Sequence, residues 1–316
     1  MPQKIKTIFI GTPDFGAPSL INLINDDSFD IVSIITQPDK KIGRKQELTS
    51  PIIKQVALEH NLPVLQPQKI KDITEQIKQL SPDLIIVIAY AQIIPGVILN
   101  IPKYGTINVH GSLLPKYRGA SCIQATILNG DKETGVTIMK MDENLDTGPI
   151  LSQKEITIID SDTSKTLFEK LSILGADILI PTIKDYIDNK IQAIPQDDSK
   201  SSYVGMLKKE DGHINWNQPA DKIERFIRAM HSWPGAFFNY QLRIKNYELK
   251  IIKTSNIFLN TNNHKPGEIF TYNKKLFIMC RDKAIEILEL QLSGKGQISA
   301  QSFLNGYSKY LINTNL

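Results

Sequence analysis

Leu84-Ile85-Ile86-Val87-Ile88-Ala89 is an unbroken run of apolar residues. Such a run reads as a strand covered on both faces, the kind found inside parallel sheets flanked by helices. Working outward, residues 5–10 form a second apolar strand that stops at Gly11, and residues 31–36 a third. A short strand surrounds Val64, and residues 106–110 form another. Helical patterns lie between them, at 13–24, 51–60 and 70–80. The last carries Ile70, Ile73, Ile77 and Leu80 on one face. This alternation predicts an α/β fold: a Rossmann-like open, mostly parallel sheet with helices on both faces. Residues 136–141 and 150–158 read as a later strand pair. Residues 163–189 read as a long helix that Pro181 can kink.

The rest of the chain changes character. Residues 190–206 are polar and aperiodic around Pro195-Gln-Asp-Asp-Ser-Lys-Ser-Ser, and read as a linker. After a helix at 219–231, short strands are predicted at 237–240, 247–254, 267–272, 275–280 and 284–292, a pattern suited to a small β-barrel of OB-like type. The expected organisation is therefore a domain over 1–189, a linker over 190–206 and a β-barrel domain over 207–316. At 41% apolar and 22% charged the composition is ordinary for a globular protein, which excludes a disordered or fibrous chain. Cys122 and Cys280 have no metal-ligand spacing; one disulfide between them is open on paper, and two buried free thiols in a reducing cytosol are the expectation. No signal peptide pattern and no membrane-spanning run occur, so a soluble, cytoplasmic protein is expected. Net charge is +4, but unevenly spread: residues 207–316 hold 16 Lys+Arg against 9 Asp+Glu, and the first 206 residues are net acidic. A basic C-terminal part suits a polyanionic partner, and equally a solvated lysine surface.

Three motifs carry chemistry. Gly11-Thr-Pro-Asp-Phe-Gly16 follows the first strand, where dinucleotide folds keep a glycine loop. Pro13 stands where the second glycine belongs and Ala17 where a phosphate-binding lysine would, so it reads as a tight turn lining a cleft. In Asn108-Val-His110-Gly-Ser112-Leu-Leu-Pro115-Lys-Tyr-Arg118-Gly119, Asn108 and His110 end a strand two residues apart. Period-two geometry sends both side chains to one face, at the sheet edge where α/β ligands bind. An amide and an imidazole aimed at one point can stabilise an oxyanion. An isolated Asn-x-His is more often structural, but here an apolar, turn-containing loop of the pocket-lining kind follows it. Asp142-Glu143-Asn144-Leu145-Asp146-Thr147-Gly148 falls between two strands. It lacks the calcium-loop spacing. A plain turn and a carboxylate brought beside His110 both remain open.

Asn108, His110, Ser112 to Pro115, Arg118-Gly119 and Leu145-Asp146-Thr-Gly148, in that order, resemble the formyltransferase family that uses 10-formyltetrahydrofolate. The resemblance implies that Asn108, His110 and Asp146 are the catalytic trio. It also implies that Ser112, Leu113, Leu114 and Pro115 border the folate, and that the backbone near 88–92 and the Asp142 loop hold the pterin. No metal is implied.

Further stretches are similar to the branch of that family whose acceptor is the amine of initiator methionyl-tRNA. They are Gly11-Thr-Pro-Asp-Phe, Thr36-Gln-Pro-Asp39 with the basic loop Lys40-Lys41-Ile-Gly-Arg44-Lys45, Leu207-Lys208-Lys209-Glu through Trp216, and Arg228 through Ala236. Lys40, Lys41, Arg44, Lys45, Lys208 and Lys209 are the implied tRNA contacts, as phosphate-gripping cations. A solvated loop is the alternative for the first four. The sequence departs from the branch where Lys45-Gln-Glu-Leu48 loses a glycine, at Met206, and at His231-Ser232. The expected reaction is formyl transfer to methionyl-tRNA for translation initiation, with no obligatory protein partner. The alternative acceptor is an amino-sugar nucleotide, which would not need the Lys40–Lys45 loop.

Overall fold

The computed structural model describes residues 4–42, 46–242, 245–261, 263–307 and 312–313. Arg44 and Lys45 lie outside the described residues. The chain forms two compact units. One comprises residues 1–122, 133–158 and 168–204, and the other 123–132, 159–167 and 205–316.

The first unit holds β1 (Ile5–Gly11), β2 (Phe29–Ile35), β3 (Lys40–Ile42), β4 (Glu47–Thr49), β5 (Val64–Leu65), β6 (Leu84–Ile88), β7 (Thr106–His110), β8 (Arg118–Gly119), β9 (Glu133–Lys140), β10 (Ile150–Thr157) and β11 (Tyr203–Val204). Seven of them build one sheet in the order β10-β9-β7-β6-β1-β2-β5. The pairs from β7 to β5 are parallel, and β9 and β10 close the other edge antiparallel. The apolar run at 84–88 is the inner strand β6, with all five residues buried, which is why it needs no alternation. Strand order reverses between β1 and β6. The loops after β1, β6 and β7 therefore share the carboxyl edge, where α/β sheets form their crevice. Gln37 ties the loops after β1 and β6 together: its N–H donates to Thr12 Oγ1 at 3.4 Å and its side-chain amide to Tyr90 O at 3.1 Å.

Helices α1 (Ala17–Asn25), α2 (Ile52–Glu59), α3 (Thr74–Leu80) and α4 (Gly96–Leu99) connect these strands. Ile8, Ile10, Ile85 and Val87 pack against Ile70, Ile77, Ile98 and Leu99, so α3 and α4 cover one face. Phe9 alternates with Ile8 and Ile10 onto the other face, beside Gly16 at the start of α1. Each isoleucine buried this way stabilises by about 1.5–3 kcal/mol. Two further helices are α5 (Cys122–Asn129) and α6 (Ser164–Ile187). The long helix expected at 163–189 is α6, and it continues through Pro181. From Phe168 on it belongs to the first unit. There Ser172 Oγ donates to Phe15 O at 2.7 Å, and the Phe15 and Phe168 rings meet edge to face at 5.1 Å.

Two segments depart from the sequence reading. The stretch from Lys40, read as the start of a basic loop, forms β3, which pairs antiparallel with β4. Within 190–206, read as a linker, β11 pairs in parallel with β8, Tyr203 against Arg118 and Val204 against Gly119. A two-residue strand leaves no periodicity to detect.

The second unit adds α7 (Ala220–Ala229), β12 (Ala236–Leu242), β13 (Lys245–Leu259), β14 (Ile269–Tyr272), β15 (Lys275–Met279), β16 (Ala284–Leu292), β17 (Gln297–Ser299), α8 (Ala300–Tyr307) and β18 (Ile312–Asn313). Its sheet runs β12-β13-β16-β15-β14-β18, with β17 on β16. Three register shifts between β13 and β16 coil the long strand, and the sheet curls into a half-barrel. The expected β-barrel is thus a curled sheet, largely antiparallel, whose end strands β12 and β18 do not pair among the described residues. Cys122 and Cys280 are both buried, and neither is in a disulfide. Among the described residues no helix is long and apolar enough to cross a membrane.

Candidate active site

Asn108 and His110 occupy the carboxyl end of β7, between β6 and β9. Asn108 is half-buried, and among the described residues nothing hydrogen-bonds its side-chain amide. It is a polar group held at the crevice edge and available to a ligand. His110 is 8% exposed. Its Nε2 donates to Tyr117 O at 3.0 Å, while Nδ1 lies 3.7 Å from Asp146 Oδ2.

Burial by itself would lower the His110 pKa. Charge and hydrogen bonding from the Cys122 side chain, then the Asp146 carboxylate and the Tyr117 carbonyl, outweigh it and hold the imidazolium up to about 9. The surroundings of the ring thus favour the imidazolium over the neutral imidazole.

Of the three acids in the 142–146 loop, only Asp146 faces the histidine. Asp142 turns back on its own loop, accepting from Asn144 N–H at 3.1 Å and from Thr147 Oγ1 at 2.7 Å. Glu143 is exposed and lies beside Gly96. Asp146 Oδ2 accepts the Gly119 N–H at 2.7 Å. Gly119 has a φ of +106°, and a Cβ there would sit 2.2 Å from Val204 O. Only glycine allows that N–H to point at the carboxylate beneath β11.

The β7 strand end, the apolar loop after it and the acid loop match the pattern of the formyl transferase family over residues 3–183, and its C-terminal domain matches 206–308. The chain belongs to the formyl transferase family. It is 44% identical over 305 residues to a methionyl-tRNA formyltransferase of Caldicellulosiruptor saccharolyticus, covering 95% of this chain and 96% of that one. It is 45% identical over 301 residues to the enzyme of that name from Thermodesulfovibrio yellowstonii, covering 95% of each. An N-formyltransferase of Helicobacter canadensis, solved with folinic acid and dTDP-3-aminofucose, shares the fold. Its TM-score is 0.67 at 22% identity, covering 90% of this chain and 98% of that one.

Within this formyltransferase fold the other expected residues fall as follows. The Ser112 hydroxyl is wholly buried and donates to Lys116 O at 2.7 Å, closing the loop on itself. Leu114 is buried, its N–H donating to Thr137 Oγ1 at 3.1 Å and its carbonyl accepting from Gln153 at 2.8 Å. Leu113 and Pro115 stay half-buried. The loop after β6 holds Ala89 and Ala91 at positive φ, +52° and +63°. Lys40 and Lys41 are exposed on β3. Lys208 and Lys209 belong to the second unit. Both are exposed, and Lys209 Nζ lies 3.7 Å from Glu248 Oε2. Among the described residues no group of three or more His, Cys, Asp or Glu side chains could hold a metal ion.

Four participants escaped the sequence reading: the Tyr117 carbonyl, the Gly119 N–H, Cys122 and Gln196. The first two are backbone groups with no side-chain signature. Cys122 opens α5 and reaches His110 only because the chain reverses after β8. Gln196 lies in the segment read as a linker.

Proposed function

We propose that this chain transfers the formyl group of 10-formyltetrahydrofolate to the amine of initiator methionyl-tRNA, giving formylmethionyl-tRNA. The observation that carries the chemistry is the pairing of an unpartnered Asn108 amide with a His110 cation at one strand end. Two such donors suit a carbonyl oxygen that gains negative charge as an amine attacks its carbon. The fit is specific to that charge, since a cation held at about 9 with no free acceptor cannot serve as the base that activates a nucleophile. Asp146 supports the protonated His110, and on this reading its carboxylate relays the amine proton to the leaving nitrogen.

The acceptor reading draws on relatives named methionyl-tRNA formyltransferase that match almost end to end. It also draws on the exposed Lys40 and Lys41 of β3 and on the basic residues 207–316. On this reading Leu113 and Pro115 present the apolar border for the folate. Residues 1–189 are the catalytic domain and 207–316 a tRNA-binding domain.

The test incubates the purified protein with 10-formyltetrahydrofolate and charged initiator tRNA, and separately with dTDP-linked amino sugars. Formylmethionine released from the tRNA is the expected product. Formylation of the amino sugar alone would overturn the acceptor and leave the donor chemistry standing.

A further inference from the structure

We infer that Gln196, oriented by the buried Arg118, is a positioning residue that aims the Asp146 carboxylate at His110. The inference rests on the proposed role of Asp146. Asp146 has a φ of +55°, in the left-handed region that side chains other than glycine seldom adopt. Aspartate tolerates that region better than most side chains, and the hydrogen bonds on either side of the turn show which group fixes it. The Gln196 side-chain N–H₂ donates to Asp146 O at 2.9 Å and to Gly148 O at 2.8 Å. One amide nitrogen thus clips both ends of the turn that carries the carboxylate.

An amide can flip, and a flipped Gln196 would set its oxygen against two carbonyls. Arg118 prevents this. Its Nε and Nη2 both donate to Gln196 Oε1, at 3.1 Å and 2.8 Å, so the reversed amide would set donors against donors. Arg118 is 1% exposed, and two further donors go to Tyr203 OH at 2.8 Å and Asp198 Oδ1 at 2.7 Å. The next residue, Gly119, supplies the N–H that holds the Asp146 carboxylate itself. One short strand therefore anchors both the turn and its side chain. Gln196 touches neither Asn108 nor His110 through a hydrogen bond, so its action passes through Asp146.

The experiment uses the full-length protein with Gln196→Glu. The glutamate keeps the shape and, ionised beside Arg118, pairs with it more strongly, but it turns an oxygen toward the two carbonyls. The expected result is a folded protein with a lowered melting temperature, kcat down roughly 10–100-fold, and both KM values within about twofold. The alkaline limb of kcat also moves to lower pH, because the displaced carboxylate no longer supports the His110 cation. Wild-type kcat with an unmoved limb would overturn the inference. Should Gln196→Glu not fold, Gln196→Met removes both donors without adding charge and faces the same criterion. Asp146→Asn is measured alongside. If it is crippled while the Gln196 variants are normal, the positioning role alone falls. If it is itself normal, the reading of Asp146 falls and takes this inference with it.

Discussion

Asp146 presents one carboxylate oxygen to two groups at once: Oδ2 accepts the Gly119 N–H at 2.7 Å and faces His110 Nδ1 at 3.7 Å. The shorter contact anchors the carboxylate. The longer one is electrostatic, short of a hydrogen bond but close enough to favour the imidazolium. The acid is thereby set to hold a charge state at His110 while retaining acceptor capacity for a proton in transit.

The Asn108 amide spends nothing on the fold, so its removal separates chemistry from stability. Asn108→Ala is expected to lower kcat by roughly 10²–10³, the usual effect of losing one oxyanion donor. Its unfolding free energy should stay within about 0.5 kcal/mol of wild type. Steady-state kinetics and urea unfolding on the same preparation check both halves.

His110 gives a pH signature whose sign follows from its raised pKa. The folded protein binds this proton more tightly than the unfolded chain, whose histidine titrates near 6.5. The stabilisation is fully present below pH 6.5 and is lost as pH rises through about 9. Urea midpoints between these values should decline, and decline less in His110→Asn. The alkaline limb of kcat should fall in the same range. Cys122→Ala removes a contributor to the shift and should bring that limb to lower pH.

Gly148 is closed to any side chain. A Cβ there would lie 1.8 Å from Lys140 O, a backbone atom with no means of moving aside cheaply. Gly148→Ala is expected to destabilise by more than about 1 kcal/mol, and to lower kcat because the turn carrying Asp146 must shift. Thermal unfolding and kinetics measure the two effects.

Lys40 and Lys41 stand exposed on β3. Replacing both with glutamate should raise KM for the tRNA, and leave KM for the folate donor unchanged. The dependence of tRNA binding on salt should also weaken, by about one unit of log–log slope for each phosphate that a lysine no longer neutralises. An unaltered salt slope would reassign Lys40 and Lys41 to an ordinary solvated surface.

Much of this molecule is legible along the chain, and for a simple reason. Strand and helix periodicities are local, so the apolar run at 84–88, the strands around it and the shared face of Asn108 and His110 follow from spacing alone. The curl of the C-terminal sheet is less visible, because it depends on register shifts between β13 and β16 rather than on either strand. Convergence across the fold is not written locally at all. Three acids stand within five residues at 142–146, and only the backbone turn at Asp146 selects the one that faces His110. Cys122 reads as a plain buried thiol until the reversal after β8 brings it to the histidine. Residues 190–206 look like a polar connector because their order comes from partners far along the chain: Arg118 for Gln196, and Gly119 for Val204. Those distances depend on how the strands stack, and no stretch of sequence contains them.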